Sequence, residues 1–469
     1  MNYYIWTLGC QMNTADSRRL ASALERVGYA PAERAEEADV VVLNTCVVRQ
    51  SAEDKVYGRL GSLKPLKKRR PGVVVGLMGC LVGVRDPAPL CRRFPWVDVF
   101  MSPSDPGPLL DLLAGRGLVD EGRALEAQAA ARRYCLQDSD LLLPAHERGQ
   151  LVSAYVSAVL GCSHACSYCV IPYRRGPERS RPADEILAEA EALAAQGVKE
   201  ITLLGQIVDR YGQDLVSGLR SQASSSNLKP ETLKPDTPLV DLLRRLHEIQ
   251  GLHRIRFLTS HPNWMTDELL DAVAGLPRVC EHLEVPVQAG DDEVLARMRR
   301  GYTAADYRRL VARIRERIPG VSIATDVIVG FPGETEAQFQ RTYDLLAELR
   351  LDKAHIARYS PRPQTLATRS FPDDVPPEEK ERRRKALDDL QAQVAGQINA
   401  QLLDQAVEVL VEGRDERKGR WWGRTRTDRL VFFADAGEDE QDWRGRLAQV
   451  RITWTGPWSL IGEAETASL

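Results

Sequence analysis

A chain of 469 residues is too long for one ordinary hydrophobic core, so several domains are expected, and three fit the pattern below. Hydrophobic residues at 43% and charged residues at 28% are the balance of a soluble globular protein, which excludes the disordered, fibrous and membrane-embedded classes. A net charge of -3 excludes nucleic-acid binding by the overall field and leaves any RNA contact to local basic patches.

The start, MNYYIWTLGCQMN, lacks the basic and apolar regions of a secretion signal, and no apolar run nears the length of a membrane span. A cytoplasmic protein without membrane association is expected. Residues 1–100 alternate apolar runs with helical periodicity: YYIWTLGC, RRLASALERVG, ADVVVLNTC, a second helical stretch and PGVVVGLMGC. That is a βαβαβ pattern. The valine runs at 40–42 and 73–75 suit parallel strands buried on both faces. An open parallel α/β domain is expected over 1–140.

From about residue 150 the rhythm restarts, with strands at SAYVSAVLG, KEITLLG, RIRFLTS, HLEVPVQ, SIATDVIVG and KAHIARYS, each but the last followed by a helical segment. A partial (β/α)6 barrel over 148–395 is expected. The segment 216–237, rich in Ser and Pro with the tandem LKPET and LKPDT, reads as a surface insertion. Pro376 and Pro377 mark the start of an amphipathic helix through KERRRKALDDLQAQVAGQINAQLL. Over 400–466 the short strands AVEVLVEG, GRWWGRTRT, RLVFFAD and RLAQVRITWT, with Gly and Asp turns, predict a small antiparallel β-barrel. The fold class is α/β with this all-β appendage.

Nine cysteines in a reducing compartment point to metal ligands, catalytic thiols or buried apolar residues rather than disulfides. Cys162, Cys166 and Cys169, in GCSHACSYC, follow the first barrel strand, where a βα barrel places its active site. Three thiolates on one loop can hold three irons of a 4Fe-4S cluster and leave the fourth open to an external ligand such as S-adenosylmethionine (SAM). A Cys3His zinc site with His164 is the alternative. Cys10, Cys46 and Cys80 each terminate one of the three apolar strands of the first domain. In a parallel sheet all carboxyl ends lie on one edge, so these three can converge on a second cluster despite their spacing. Cys91, Cys135 and Cys280 read as buried core cysteines.

The pattern C-x3-C-x-aromatic-C resembles the radical SAM superfamily, in which the aromatic residue, here Tyr168, helps to seat the adenine. The flanks TLGCQMN, NTCVVRQSAEDKVYGRLG and GLMGC, with GCSHACSYCVIPYRRGPERSRP, resemble the methylthiotransferase family within it. LTSHP, VPVQAG, MRRGYT, TDVIVGFPGET and ARYSPRP look like that family's barrel, and VLVEG, GRTRTDRLVFF and SLIGE like its TRAM domain. Two positions depart from the pattern: Ile207 stands where the family usually has Asn, and Gln364 where it has Gly.

The resemblance implies that the cluster of Cys162, Cys166 and Cys169 cleaves SAM to a 5'-deoxyadenosyl radical. It further implies that the auxiliary 4Fe-4S cluster of Cys10, Cys46 and Cys80 donates a methylated sulfur. The target implied is C2 of N6-dimethylallyladenosine beside the anticodon of tRNA. Rival readings are methylthiolation of threonylcarbamoyl-adenosine or of a ribosomal-protein aspartate and, from another class, a non-catalytic iron-sulfur or zinc RNA-binding protein. A monomer served by a flavodoxin or ferredoxin is expected.

Barrel geometry adds Gln206, Ser260, Gln288, Asp326 and Glu334, at or just past strand ends, as SAM contacts; the plain alternative for each is a capping or loop residue. Basic and aromatic residues alternate in the last domain, through Arg414, Arg417, Lys418, Arg420, Trp421, Trp422, Arg424, Arg426 and Arg429. They suit an RNA grip on the tRNA anticodon stem-loop or else a solvated hairpin over a Trp core. Lys64, Lys67, Lys68, Arg69 and Arg70, with Arg174, Arg175, Arg179 and Arg181, would extend that basic surface.

Overall fold

The computed structural model describes residues 1–48, 50–133, 143–215, 237–434 and 442–465. Cys135 and the insertion expected at 216–237, but for Thr237, fall outside the described residues.

The first sheet contains β1 (Asn2–Thr7), β2 (Ala30–Pro31), β3 (Val40–Thr45), β4 (Val74–Gly79) and β5 (Val99–Met101) in the order β2-β1-β3-β4-β5, all parallel. The valines of β3 and β4 are buried because helices cover both faces. Leu20 and Leu24 of helix Gln11–Arg26 and Leu109 and Leu110 of helix Gly107–Gly115 pack on one face. Val56, Leu60 and Leu63 of helix Gln50–Arg69 pack on the other. The edge strands β2 and β5 have two and three residues, too few for a periodic signal in the sequence.

The central unit contains β6 (Ser153–Ser157), the short pair β7 (Val159–Leu160) and β8 (Arg179–Ser180), then β9 (Glu200–Leu204), β10 (Arg254–Leu258), β11 (His282–Glu284), β12 (Ser322–Val329) and β13 (Lys353–Arg358). Strands β6, β9 and β10 form one parallel sheet and β11, β12 and β13 another. The Ile255–Val279 bridge and the Ser260 N–H donating to the Glu284 carbonyl at 3.0 Å join them into one open half-barrel. These are the six strands expected from the sequence. Their inner residues and the crossover helices form one continuous core. Helix Pro377–Ala400 begins on its proline as expected and lies along β13, where the Gln391 amide donates to the Leu351 and Asp352 carbonyls.

The last unit is a closed barrel of β14 (Ala406–Asp415), β15 (Arg420–Thr425), β16 (Leu430–Ala434), β17 (Leu447–Thr455) and β18 (Leu460–Ala464). Four of its pairings are antiparallel, and β16 with β18 is parallel. Five strands cannot alternate direction around a ring, so closure imposes one parallel pair. Among the described residues no helix is long and apolar enough to cross a membrane.

Candidate active site

Cys10, Cys46 and Cys80 follow β1, β3 and β4 at their carboxyl ends. A buried amide network holds these ends together. Asn13 donates to the Asn44 side chain at 2.9 Å and to the Thr45 carbonyl at 3.1 Å. Asn44 donates back to the Asn13 carbonyl at 2.8 Å, and Thr45 Oγ1 to the Met78 carbonyl at 2.6 Å. Gly79, at φ +99°, completes it: a Cβ there would lie 2.5 Å from Asn44 Oδ1 and the Thr45 carbonyl. Cys10 and Cys46 are close enough to Cys80 to raise its thiol pKa, but burial is the largest cause, and the Cys80 thiol is pushed up to about 11. The structure therefore gathers the three cysteines that the sequence separates.

Cys162, Cys166 and Cys169 lie on the loop between β7 and the short helix Ile171–Arg175. Gly161 sits at φ +69°, and a Cβ on it would stand 2.1 Å from the Pro177 carbonyl oxygen. Substituting Gly161→Ala is expected to displace the loop and cost about 1–3 kcal/mol; a lower thermal midpoint together with lower iron loading after reconstitution checks this. Burial pushes Cys162 to about 11 and Cys169 to about 12. At Cys166 burial acts the same way but is outweighed. His164 Nδ1 lies 3.1 Å from its sulfur, the Arg300 guanidinium donates to it at 3.2 Å, and the thiol falls to about 7.

In the metal-free chain, alkylation of Cys166 is accordingly expected to rise as pH passes through about 7, where its thiolate forms. Cys162 and Cys169 should stay protonated and slow until pH nears 11 to 12. Peptide mass spectrometry of protein treated with iodoacetamide at about pH 6, 7.5 and 9, values that bracket the Cys166 transition alone, distinguishes the sites. Equal rates at all three would contradict the charge pattern. Among the described residues no three His, Cys, Asp or Glu groups sit tightly enough for a single metal ion; a cube of four irons spreads its thiolates wider than one zinc does.

The segments that carry the two cysteine sets pack against each other. Met12, beside Cys10, packs with Leu160 and Leu204 at the barrel strand ends, and Gln206 donates to the Met12 sulfur at 2.9 Å. Arg362 donates to the Val47 carbonyl at 3.3 Å, to Glu53 at 2.9 Å and to Gln50 at 2.7 Å, which fastens the loop after Cys46 onto the barrel. A cavity of about 240 Å³ opens here, lined by Val48, Tyr168, Cys169, Gln288 and Asp326 among others.

Three of the expected SAM contacts thus share one cavity: Tyr168, Gln288 and Asp326. Ser260, two residues past the end of β10, is buried but does not line this cavity; its Oγ lacks a hydrogen-bond partner, as does His261 Nε2. Orphaned polar atoms of this kind suit a polar ligand. Glu334 is placed otherwise. Its carboxylate accepts from the Gly330 N–H at 2.6 Å and from Arg383 at 2.9 Å, so it braces the turn after β12 against helix Pro377–Ala400, as its capping alternative allowed. Ile207 is buried against Cys162 and Ile171, and Gln364 adopts φ +78°, a conformation that glycine enters without strain.

The sequence reading missed Arg300, for which MRRGYT was the only signal, and misjudged Arg175 and Arg181 as surface charges. Both are buried. Arg175 donates to the Cys80 sulfur at 3.3 Å, and Arg181 pairs with Glu189 at 2.6 Å. Lys67 pairs with Asp98 at 2.7 Å and Arg70 with Asp39 at 3.1 Å, so that run is partly spent as well; Lys64, Lys68 and Arg69 are exposed. Cys280 is buried and Cys91 half-buried.

The C-terminal barrel caps the amino ends of the strands. Arg254 donates to the Arg424 carbonyl at 2.6 Å, and Arg426 pairs with Glu281 while donating to the Pro277 and Val279 carbonyls. Arg426, expected among the RNA contacts, is instead occupied by these carbonyl and carboxylate partners as a strut between the two units. Arg424 is divided between Glu412 at 3.4 Å and Asp428 at 3.3 Å. Arg417 and Lys418 are exposed on the β14–β15 turn, with Arg420 half-buried beside them. Trp421 lies in the barrel core.

A parallel half-barrel with three cysteines after its first strand is the architecture of radical SAM proteins, and residues 156–346 match the Radical SAM superfamily. Residues 2–102 match the Uncharacterized protein family UPF0004 and 403–464 the TRAM domain. The fold is similar to that of the radical S-adenosylmethionine methyltransferase TsrM from Kitasatospora setae, with TM-score 0.51 and 17% identity over 78% of this chain and 77% of that one. The chain is 50% identical to a tRNA-2-methylthio-N(6)-dimethylallyladenosine synthase of Roseiflexus sp. (strain RS-1), over 98% of this chain and 89% of the relative. It is 48% identical to the synthase of that name from Chloroflexus aurantiacus, over 98% and 91%. This chain belongs to the tRNA-2-methylthio-N(6)-dimethylallyladenosine synthase family.

Proposed function

We propose that the protein methylthiolates C2 of N6-dimethylallyladenosine next to the anticodon of tRNA, with SAM and two 4Fe-4S clusters as cofactors. Cys162, Cys166 and Cys169 hold the cluster that binds SAM, and Cys10, Cys46 and Cys80 hold the auxiliary one. The observation that carries this reading is the shared interface: the loops after Cys46 and around Cys169 line one cavity. When bound, the first cluster with SAM supplies a 5'-deoxyadenosyl radical, and the second supplies sulfur.

The chain's own residues do the rest. Tyr168, Gln288 and Asp326 line the cavity, and together with Gln206 and Ser260 they orient the bound cofactor there. Ile171 and Ile207 pack over Cys162 and keep water from the thiolates, as a reactive carbon radical requires. Arg300 is fixed by the Pro286 carbonyl at 3.1 Å and Tyr302 at 3.0 Å and holds Cys166 as a thiolate by its charge. Exposed Arg417 and Lys418, with Arg420, meet the phosphates of the anticodon stem-loop. In this reading residues 1–140 form the auxiliary-cluster domain, 148–395 the radical SAM barrel and 400–466 the RNA-binding TRAM domain. The protein works in the cytoplasm as a monomer, reduced by a flavodoxin or ferredoxin.

Nucleoside mass spectrometry of tRNA from cells with and without the gene tests the proposal. Loss of 2-methylthio-N6-dimethylallyladenosine, with accumulation of its unthiolated precursor, is the expected result. Loss of a methylthiolated threonylcarbamoyl-adenosine instead, or no change in tRNA, would overturn it.

A further inference from the structure

Arg175 ends the short helix that follows Cys169, yet its side chain reaches the other cysteine set. It is 3% exposed, its Nη2 pairs with Asp16 at 3.2 Å, and its Nε donates to the Cys80 sulfur at 3.3 Å. Asp16 is fully buried on helix Gln11–Arg26, directly downstream of Cys10, and also accepts from Ser104 Oγ. A guanidinium taken out of water to this degree needs an anionic partner: the Asp16 carboxylate is one, and the Cys80 sulfur becomes a second as a metal-bound thiolate. Its two bonds leave from different nitrogens of one rigid plane, which a lysine ammonium cannot reproduce.

We propose that Arg175 is a positioning residue of the Cys10/Cys46/Cys80 site, a buried counter-cation that fixes the Cys80 sulfur and offsets the negative charge collected there. The inference rests on the reading that this set carries a 4Fe-4S cluster. Hydrogen bonds to ligand sulfurs and net local charge set the potential of such clusters, so Arg175 raises the potential of the auxiliary site. Asp16 orients the guanidinium and tempers its charge. Because Arg175 is covalently continuous with the Cys169 loop, the same side chain also ties the second cysteine set to the first.

The test uses the full chain carrying Cys162→Ala, Cys166→Ala and Cys169→Ala, reconstituted anaerobically so that only the auxiliary cluster is present. An EPR-monitored redox titration and the rate of iron loss to a chelator are compared with and without Arg175→Gln. The midpoint is expected to move to a more negative value and iron loss to quicken by about 10-fold or more, with the circular dichroism spectrum unchanged. Arg175→Lys should restore part of the shift. Asp16→Asn, which removes a negative charge from the same cluster of groups, should move the midpoint the opposite way, a sign pattern that mere loosening of the fold would not produce. An iron-loaded parent whose midpoint and iron loss are unaffected by Arg175→Gln would overturn this inference alone. A parent without iron would overturn the cluster reading and this inference with it.

Discussion

Replacing Cys162, Cys166 and Cys169 together by alanine is expected to leave about four of about eight irons per chain and to abolish formation of 5'-deoxyadenosine from SAM and dithionite. The three thiols sit on one loop, so their loss removes every protein ligand of the proposed SAM-binding cluster. The other set is held by a separate network, Asn13 to Asn44 and Thr45 to Met78, which none of the three substitutions touches. Iron and sulfide assays after anaerobic reconstitution, with chromatographic detection of the nucleoside, check both halves. Persistence of 5'-deoxyadenosine in the triple variant would refute the catalytic assignment, and zinc in place of iron would refute it sooner.

The largest effect on stability is expected at Arg256. Its side chain and that of Glu200 are each 4% exposed and pair at 2.9 Å. The same guanidinium donates to the Thr425 and Arg426 carbonyls at 2.7 Å each. Arg256→Ala leaves a buried carboxylate without its cation and two carbonyls without their donor, at a cost of about 3–5 kcal/mol. Since those carbonyls belong to the C-terminal barrel, the loss should fall on its docking. Denaturation followed by tryptophan fluorescence is expected to show an early separate transition, and brief proteolysis should cut between helix Pro377–Ala400 and β14 (Ala406–Asp415). A single transition at the unaltered midpoint would contradict this account. Arg254, which pairs with Glu408 at 2.7 Å, supplies the neighbouring contact, so the two substitutions should not be additive.

Much of the architecture was legible because it is written in local patterns. Valine runs followed by Gly-Cys or Thr-Cys marked β3 and β4 and their ends, and proline marked the start of the long helix. The six barrel strands were visible because short segments with apolar residues alternate with helical stretches along this part of the chain. The arginines were not legible in the same way. Arg175, Arg181 and Arg426 sit in basic runs that read as solvated surface, yet each is committed to a protein partner: Arg175 and Arg426 to the distant Cys80 and Glu281, Arg181 to Glu189 on the helix that follows it. A guanidinium's environment depends on what folds over it, and composition carries no trace of that. Trp421 is the converse case, an aromatic beside basic residues that turned out to belong to the barrel core.

By itself the sequence determined that each of the six cysteines would stand at the carboxyl end of a parallel strand or on the loop just past one, since strand ends are set by short-range hydrophobic runs and turn residues. Only the tertiary structure decided that Val48, on the loop after Cys46, lines one cavity with Cys169, that Arg175 and Arg300 each reach a cysteine sulfur, and that Glu334 pairs with Arg383. Those facts depend on contacts between residues far apart in the chain, some within the barrel and some between it and the first domain, and no local periodicity encodes them.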